Sequence, residues 1–152
     1  MKVAIASDHA GFPLKSDVID VIRAAGHEPV DLGTTATQPA VDYPDFAEKA
    51  GLAVQRGEAE RAVVVCGSGV GACIAANKMH GVYAGLCHDT YSAHQGVEHD
   101  DMNVLCIGAR IIGPELAREI VRAFLSAQFS GEERHVRRLN KTKAIEARNR
   151  EG

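Results

Sequence analysis

The apolar run at residues 62–66 (AVVVC) constrains the fold of this chain more than any other segment. A strand that is apolar on both faces must be covered on both faces, as strands are inside a parallel sheet with helices on either side. Four further short runs have strand character, and they lie at residues 3–7, 28–32, 82–87 and 104–107. The sequence therefore predicts a five-stranded parallel sheet.

Segments with apolar residues at helical spacing alternate with these runs. The first covers residues 12–25 and ends at Gly26, and the charged segment from about residue 131 is also predicted to be helical. The other predicted helices lie at residues 44–56, 70–79, 90–97 and 114–129. This alternation favours right-handed crossovers with helices on both faces of the sheet. The expected fold is a single α/β domain over residues 1–152, a three-layer Rossmann-like sandwich with the strand order 2-1-3-4-5.

Composition and charge argue against several classes of protein. Seventeen Lys and Arg residues against twenty Asp and Glu residues give a formal net charge of −3 without a long run of one sign, so we expect no nucleic-acid partner. Four cysteines are too few for a disulfide framework and suit a reducing cytoplasm. The first apolar run meets a charge at Asp8, too early for a signal peptide or a membrane span, so we expect no membrane partner.

The predicted strand order brings reactive side chains to one edge of the sheet. Strands 1 and 3 are neighbours in that order, and the chain reverses its winding between them, which opens a crevice at their carboxyl ends. Asp8 and His9 leave strand 1, while Cys66, Gly67 and Ser68 leave strand 3. We therefore expect these five residues to surround one opening in which a ligand binds.

Cys66 stands immediately before a glycine-rich turn, residues 66–71 (CGSGVG). Unpaired N–H groups at the start of a helix favour negative charge, so this turn can bind an anion and favours the thiolate form of a neighbouring cysteine. A thiolate base beside an oxyanion site can remove a proton next to a carbonyl and hold the resulting enediolate. The alternative is that Cys66 only fills space as a small buried side chain, which is the role expected for Cys73, Cys87 and Cys106.

Two other functions use the same turn. Residues 67–72 fit the loose pattern G-x-G-x-x-A of a non-catalytic nucleotide-binding module, with Asp89 as an ambiguous ribose partner. That fingerprint normally follows the first strand, whereas this turn follows the third, so the signal is weak. A redox sensor that uses Cys66 and Cys73 is weaker still, because the two cysteines lack the spacing of a resolving pair.

Histidines and arginines add candidates outside the turn. His9, beside Asp8, and His99, in a polar segment before the last strand, can both transfer protons near neutral pH. Arg134 and Arg138 share one face of a helix and can bind a phosphate together, although a solvated charged tail has the same pattern. Arg110 can likewise be either a phosphate ligand or a solvent-exposed charged residue.

Several blocks of sequence, in their order and spacing, match a known family. They are residues 7–12 (SDHAGF), 42–45 (DYPD), 66–71 (CGSGVG) with 74–78 (IAANK), 87–93 (CHDTYSA), 103–105 (NVL), 108–110 (GAR), and Arg134-His135 followed by Arg138. Through them nearly the whole chain resembles type B ribose-5-phosphate isomerase, within the group that includes allose-6-phosphate and galactose-6-phosphate isomerases. The resemblance implies an aldose–ketose isomerase of the pentose phosphate pathway that uses neither a metal nor a cofactor. It also implies a phosphorylated sugar substrate and a homodimer or dimer of dimers with shared active sites.

The resemblance also implies roles for individual residues. Cys66 corresponds to the base that moves a proton between C1 and C2 of the sugar, and His99 to the residue that opens the furanose ring. The enediolate oxygens are expected to bind the turn, formed by Gly67, Ser68, Gly69, Val70 and Gly71. The remaining ligand contacts are expected from Asp8 (hydroxyls), from His9, Arg134 and Arg138 (phosphate), and from Arg110 and Tyr43.

Two positions depart from the pattern of the family. One branch uses a glutamate within the turn as its base, but here that position is Ala72, which leaves Cys66 as the base. The residue after the ring-opening histidine is commonly Asn and here is Asp100, which brings a negative charge near an anionic substrate. The preferred sugar is therefore left open between ribose 5-phosphate and a six-carbon substrate such as allose 6-phosphate.

Overall fold

The structure, a computed structural model, describes residues 1–150 as alternating strands and helices. The strands are β1 (Lys2–Ser7), β2 (Glu28–Asp31), β3 (Arg61–Cys66), β4 (Ala84–Leu86) and β5 (Val104–Gly108). The helices are α1 (Phe12–Ala24), α2 (Tyr43–Gln55), α3 (Val70–Ala76), α4 (Thr90–Asp100), α5 (Pro114–Ser126) and α6 (Glu133–Asn149). Among the residues that the structure describes, none of the helices is long and apolar enough to cross a membrane.

All five strands are parallel and form one sheet in the order β2-β1-β3-β5-β4. This confirms the α/β class and the pairing of β1 with β3, but it corrects the predicted order of the last two strands. β5 pairs with β3, and β4 lies at the edge. The reason is burial: every residue of β5 is buried, whereas β4 has only three residues, all at least partly exposed. A wholly buried strand belongs inside the sheet, and a short, partly exposed one belongs at its edge.

The core has two halves, one on each face of the sheet. Val63 and Val65 point to the half that contains the apolar residues of α1, α4 and α5. Ala62, Val64 and Cys66 point to the other half, which α2 and α3 cover. The burial of residues 62–66 on both faces, expected from their apolar run, is thus confirmed.

α3 and α5 end three residues before their predicted ends, whereas α4 continues to Asp100, past its predicted end at residue 97, and so includes His99. α3 ends at Ala76 rather than near residue 79, because Asn77 turns its side-chain amide onto the edge strand and bonds both the N–H (2.8 Å) and the carbonyl (2.9 Å) of Ala84. α5 ends at Ser126 rather than near residue 129. Beyond it the Arg61 guanidinium donates to the carbonyl oxygens of Phe124 (2.6 Å) and Ala127 (2.7 Å). At the end of α5, Arg61 therefore supplies donors for carbonyl groups that the helix leaves unpaired, whereas at the end of α3 the Asn77 side chain binds the backbone of the edge strand.

Candidate active site

The carboxyl ends of β1 and β3 lie side by side, with Ser7 paired to Val65. The residues that follow these strands surround a surface cavity of about 460 Å³. Eight residues expected at the site line this cavity, and they are Asp8, His9, Tyr43, Cys66, Gly67, Ser68, Gly71 and Arg110. We call it the Cys66 cavity. Ala10 and Ile111 also line it, and neither was expected from the sequence, because an alanine and an isoleucine carry no chemical signal.

Cys66 lines this cavity although only 5% of its surface is exposed. Its Sγ accepts a hydrogen bond from the N–H of Gly69 at 3.1 Å, and the Ser68 Oγ accepts one from the N–H of Val70 at 3.3 Å. Gly69 is the N-cap of α3 and has a φ of +83°, a conformation that favours glycine. The turn thus directs N–H donors towards the sulfur and the neighbouring hydroxyl, an arrangement that stabilises negative charge.

Three glycines allow the backbone to approach closely around the turn. A Cβ on Gly71 would lie 2.5 Å from the ring of Tyr43, and one on Gly108 would lie 2.5 Å from the carbonyl carbon of Ser68. A Cβ on Gly11 would lie 2.0 Å from the carbonyl oxygen of Val65. Gly11 and Gly108 were not expected at the site, since the contacts that require them join segments far apart in the sequence.

Asp8 and His9 are oriented by backbone groups. Asp8, 7% exposed, accepts a hydrogen bond from the N–H of Gly11 through Oδ1 at 2.9 Å. His9 accepts one from the N–H of Val41 through Nδ1 at 3.1 Å. A neutral His9 therefore carries its proton on Nε2 and can donate it to an anion.

The other candidates lie elsewhere in the chain. His99, Asp100, Arg134 and Arg138 are absent from the lining of the Cys66 cavity, and so are Gly69 and Val70 of the turn itself. Asp100 lies instead at a cavity of about 210 Å³ beside β4 and α4. Arg134 pairs with Glu132 at 2.6 Å.

His99 is held by neighbours on α4 and α6. Its Nδ1 lies 3.0 Å from the side-chain nitrogen of Gln95, and its Nε2 lies 3.5 Å from a carboxylate oxygen of Glu98. The ring stacks on that of His135, with centroids 3.9 Å apart. Burial, followed by the charges of His99 and Arg134, lowers the pKa of His135, whose exposed fraction is 3%. No local pattern predicts this stack, because the two histidines belong to different helices.

The remaining cysteines differ from one another. Cys87 and Cys106 are buried, as expected, and burial raises the pKa of Cys87 to about 11. The expectation that Cys73 is buried is wrong, because its side chain is partly exposed beside a surface cavity. The physical reason is that α3 buries only Ala72 and Ala76, and Cys73 lies beside that buried stripe.

Comparisons with known proteins agree on one family. A model of the family described as Ribose/Galactose Isomerase matches residues 3–142. The ribose-5-phosphate isomerase B of Escherichia coli (strain K12) is 43% identical over 147 residues, 97% of each chain. The D-erythrulose-4-phosphate isomerase of Pectobacterium atrosepticum is 40% identical over 131 residues, 86% of each chain. Among solved structures, the type B ribose 5-phosphate isomerase from Trypanosoma cruzi matches with a TM-score of 0.94 and 47% identity, over 98% of this chain and 100% of that one.

Proposed function

The chain belongs to the ribose/galactose isomerase family and is an isomerase, and on this premise we propose that it interconverts D-ribose 5-phosphate and D-ribulose 5-phosphate with Cys66 as the base. The observation that carries the proposal is the contact between the Cys66 sulfur and the N–H donor of Gly69 in a surface cavity. A base and an oxyanion site are both needed at the carbon from which the proton is taken.

In the direction of ketose formation, the Cys66 thiolate takes the proton from C2 of the opened aldose. The electrons of the broken C2–H bond form the C1–C2 double bond of an enediolate, whose negative charge lies on O1. The N–H groups of the turn and the Ser68 hydroxyl face this charge. The thiol then returns its proton to C1 while the hydroxyl proton passes from O2 to O1, and the buried Asp8 carboxylate at the cavity wall is placed to carry it.

His99 acts in this scheme as the residue that opens the furanose ring, and it must then come from a second copy of the chain. α4 runs opposite to the strands, so its last turn lies at the amino edge of the sheet, while Cys66 lies at the carboxyl edge. The N–H of Ala62, near the start of β3, donates to the carbonyl of Asn103 at 2.9 Å, which fixes the segment after α4 at that amino edge. Cys66 is the fourth residue after Ala62 along the strand, a rise of about 13 Å.

The phosphate is assigned to His9 of one copy and to Arg134 and Arg138 of the other. Arg110 stands at the wall of the Cys66 cavity as a further ligand contact. Arginine pairs bind phosphate through paired N–H donors, and a neutral His9 adds its Nε2 proton. A homodimer, or a dimer of dimers, with shared sites follows from this assignment.

The identity of the preferred sugar phosphate is the most specific part of the proposal. The chain has relatives named for ribose 5-phosphate and for the four-carbon D-erythrulose 4-phosphate, so the family name does not select a chain length. Asp100 adds a carboxylate in a region assigned to the substrate. A panel of ribose, allose, galactose and erythrulose phosphates measures the preference as kcat/KM, and we expect ribose 5-phosphate to have the highest value.

The first test replaces Cys66 with alanine. We expect loss of turnover and loss of solvent deuterium incorporation at C2 of ribose 5-phosphate, measured by NMR, together with retained substrate binding in calorimetry. Cys87→Ala is the matched control, since it removes a buried thiol that does not line the Cys66 cavity, and it should keep the exchange. Deuterium exchange by Cys66→Ala at the parent rate would exclude Cys66 as the base.

A mixing experiment tests the shared site. Cys66→Ala and His99→Ala are each expected to be inactive, yet a mixed dimer holds one site with both residues intact. Random reassociation of equal amounts makes half of the dimers mixed, so about one quarter of the sites should regain activity. Mixtures that stay inactive, while mass spectrometry shows mixed dimers, would place His99 outside the shared site.

A further inference from the structure

His88 follows the edge strand β4 and has no role in the reaction proposed above. It lies within residues 87–93, one of the sequence blocks that match the family, but it does not line the Cys66 cavity. Its Nε2 accepts a hydrogen bond from the N–H of Gly108, the last residue of β5, at 3.0 Å. A histidine side chain therefore holds the backbone at the carboxyl end of a buried strand.

This hydrogen bond continues the pairing of β4 with β5. The register pairs Leu86 with Cys106, which sets His88 opposite Gly108 two residues further on. The N–H of Cys87 still donates to the carbonyl oxygen of Cys106 at 3.2 Å. The next donor on that side of β5 is the N–H of Gly108, and its acceptor is the imidazole ring. Since Gly108 is buried, this N–H needs a partner within the protein.

Residues 108–110 also bind the glycine-rich turn that holds the proposed base. The N–H of Ala109 donates to the carbonyl oxygen of Cys66 at 2.9 Å, and the N–H of Arg110 donates to that of Gly67 at 3.0 Å. The close approach between this segment and the turn, described above for the missing Cβ of its glycine, leaves no gap between the two backbones. The segment thus has the turn on one side and the imidazole ring on the other.

The hydrogen bond also defines the protonation state of the ring. A backbone N–H can only donate, so the Nε2 of His88 carries no proton, and a neutral ring then has its proton on Nδ1. His9 has the opposite arrangement, because its Nδ1 is the acceptor, for the N–H of Val41. The two histidines are therefore expected to be different tautomers, which is a measurable property.

We propose that His88 is a positioning residue of the isomerase, which acts through Gly108 to hold the turn at residues 66–68 where it stabilises the enediolate. This inference rests on the proposed function, because only that function assigns the enediolate to the turn. Groups that stabilise a transition state must be held to within about 0.5 Å, and a displacement of about 1 Å can cost about 100-fold in rate. Loss of the Nε2 acceptor lets the end of β5 shift, and the turn shifts with it.

The kinetic test compares two substitutions of similar length. His88→Met removes the acceptor, and we expect it to lower kcat for ribose 5-phosphate about tenfold, as a partial displacement of the turn would. His88→Gln keeps an acceptor oxygen within reach of Gly108 and should restore most of this loss. His94→Met is the matched control, since the His94 side chain is 44% exposed on α4 and does not line the Cys66 cavity, and it should keep the parent kcat. A His88→Met protein with the parent kcat, or equal losses from His88→Met and His88→Gln, would overturn the proposal.

NMR tests the geometry without any use of activity. In the ¹⁵N-labelled parent chain, long-range proton–nitrogen correlations should show the ring proton of His88 on Nδ1 and that of His9 on Nε2. The amide of Gly69, which donates to the Cys66 sulfur, should exchange with deuterium faster in His88→Met than in the parent and in His94→Met. A His88 ring with its proton on Nε2, or unchanged exchange at Gly69, would refute the positioning role.

The two sets of measurements separate this inference from the proposed function. A parent chain without isomerase activity would refute the proposed function, whereas the tautomer and the Gly69 exchange would still report whether His88 positions the turn. If His88→Met does not fold, the tautomer of the parent decides, together with the kcat of His88→Gln.

Discussion

Replacing Gly108 with alanine tests the packing that holds the Ser68 turn in place. The added Cβ would lie 2.5 Å from the carbonyl carbon of Ser68 and 2.6 Å from its oxygen, whereas ordinary contacts begin at 3.4 Å. Both partners are backbone atoms, which cannot rotate away as the end of a side chain can. The turn must therefore move by about 1 Å. Overpacking of this kind costs about 1–3 kcal/mol of stability.

The effect on activity should exceed the effect on stability. A displacement of about 1 Å in a positioning group can cost about 100-fold in rate, equivalent to about 2.7 kcal/mol in the barrier. We expect Gly108→Ala to lower kcat/KM for ribose 5-phosphate by that factor, measured by the formation of ribulose 5-phosphate, and to lower the free energy of unfolding in urea by about 2 kcal/mol.

Gly113→Ala is the matched control. Gly113 has a φ of −86°, and no heavy atom lies within 4 Å of its Cβ position. Its substitution should change the free energy of unfolding by less than about 0.5 kcal/mol and leave kcat/KM unchanged. A Gly108→Ala protein as stable and as active as Gly113→Ala would refute the view that this contact positions the turn.

Two more predictions follow from hydrogen bonds and from a pKa. Arg61→Met should lower the free energy of unfolding in urea by about 2 kcal/mol, because the carbonyls of Phe124 and Ala127 lose their donor, whereas the exposed Arg122→Met should have little effect. Equal losses from both substitutions would contradict this reasoning. Alkylation of Cys73 by iodoacetamide should rise with pH and level off above about pH 8, because a thiol of pKa about 7 is already half thiolate at pH 7. A rate that still rises tenfold per pH unit beyond pH 8 would show that Cys73 keeps an ordinary thiol pKa.

The crevice at the ends of β1 and β3 could be predicted from the sequence because it depends only on local patterns. A strand that is apolar on both faces requires a covered parallel sheet, and the carboxyl ends of neighbouring strands then meet at one edge. Asp8, His9 and Cys66 were placed together on this basis. The prediction required the pairing of β1 with β3, which the structure confirms.

The order of β4 and β5 could not be predicted in the same way. Hydrophobic periodicity identifies each strand separately but does not say which strand it pairs with. The apolar run at residues 82–87 predicts a strand of six residues. In the structure only Ala84–Leu86 form a strand, and this strand pairs only with β5. The contacts of Gly11 and Gly108 were missed for the same reason, since each joins segments that no local pattern connects.

The four cysteines show that residue type alone does not predict the reactivity of a side chain. The same thiol group occurs four times, but the burial and the neighbours of each sulfur differ, and the sequence does not reveal them. Cys66 accepts a hydrogen bond from the Gly69 N–H in the cavity proposed for catalysis. The Cys73 sulfur lies 3.6 Å from the Asn77 amide nitrogen, and burial raises the pKa of Cys87 to about 11. Cys66 precedes the turn that opens α3, Cys73 lies within α3, and the two residues line different cavities. Alkylation of Cys73 therefore need not block Cys66, and a protein alkylated at Cys73 alone should retain isomerase activity, whereas loss of activity would contradict the separation of the two sites.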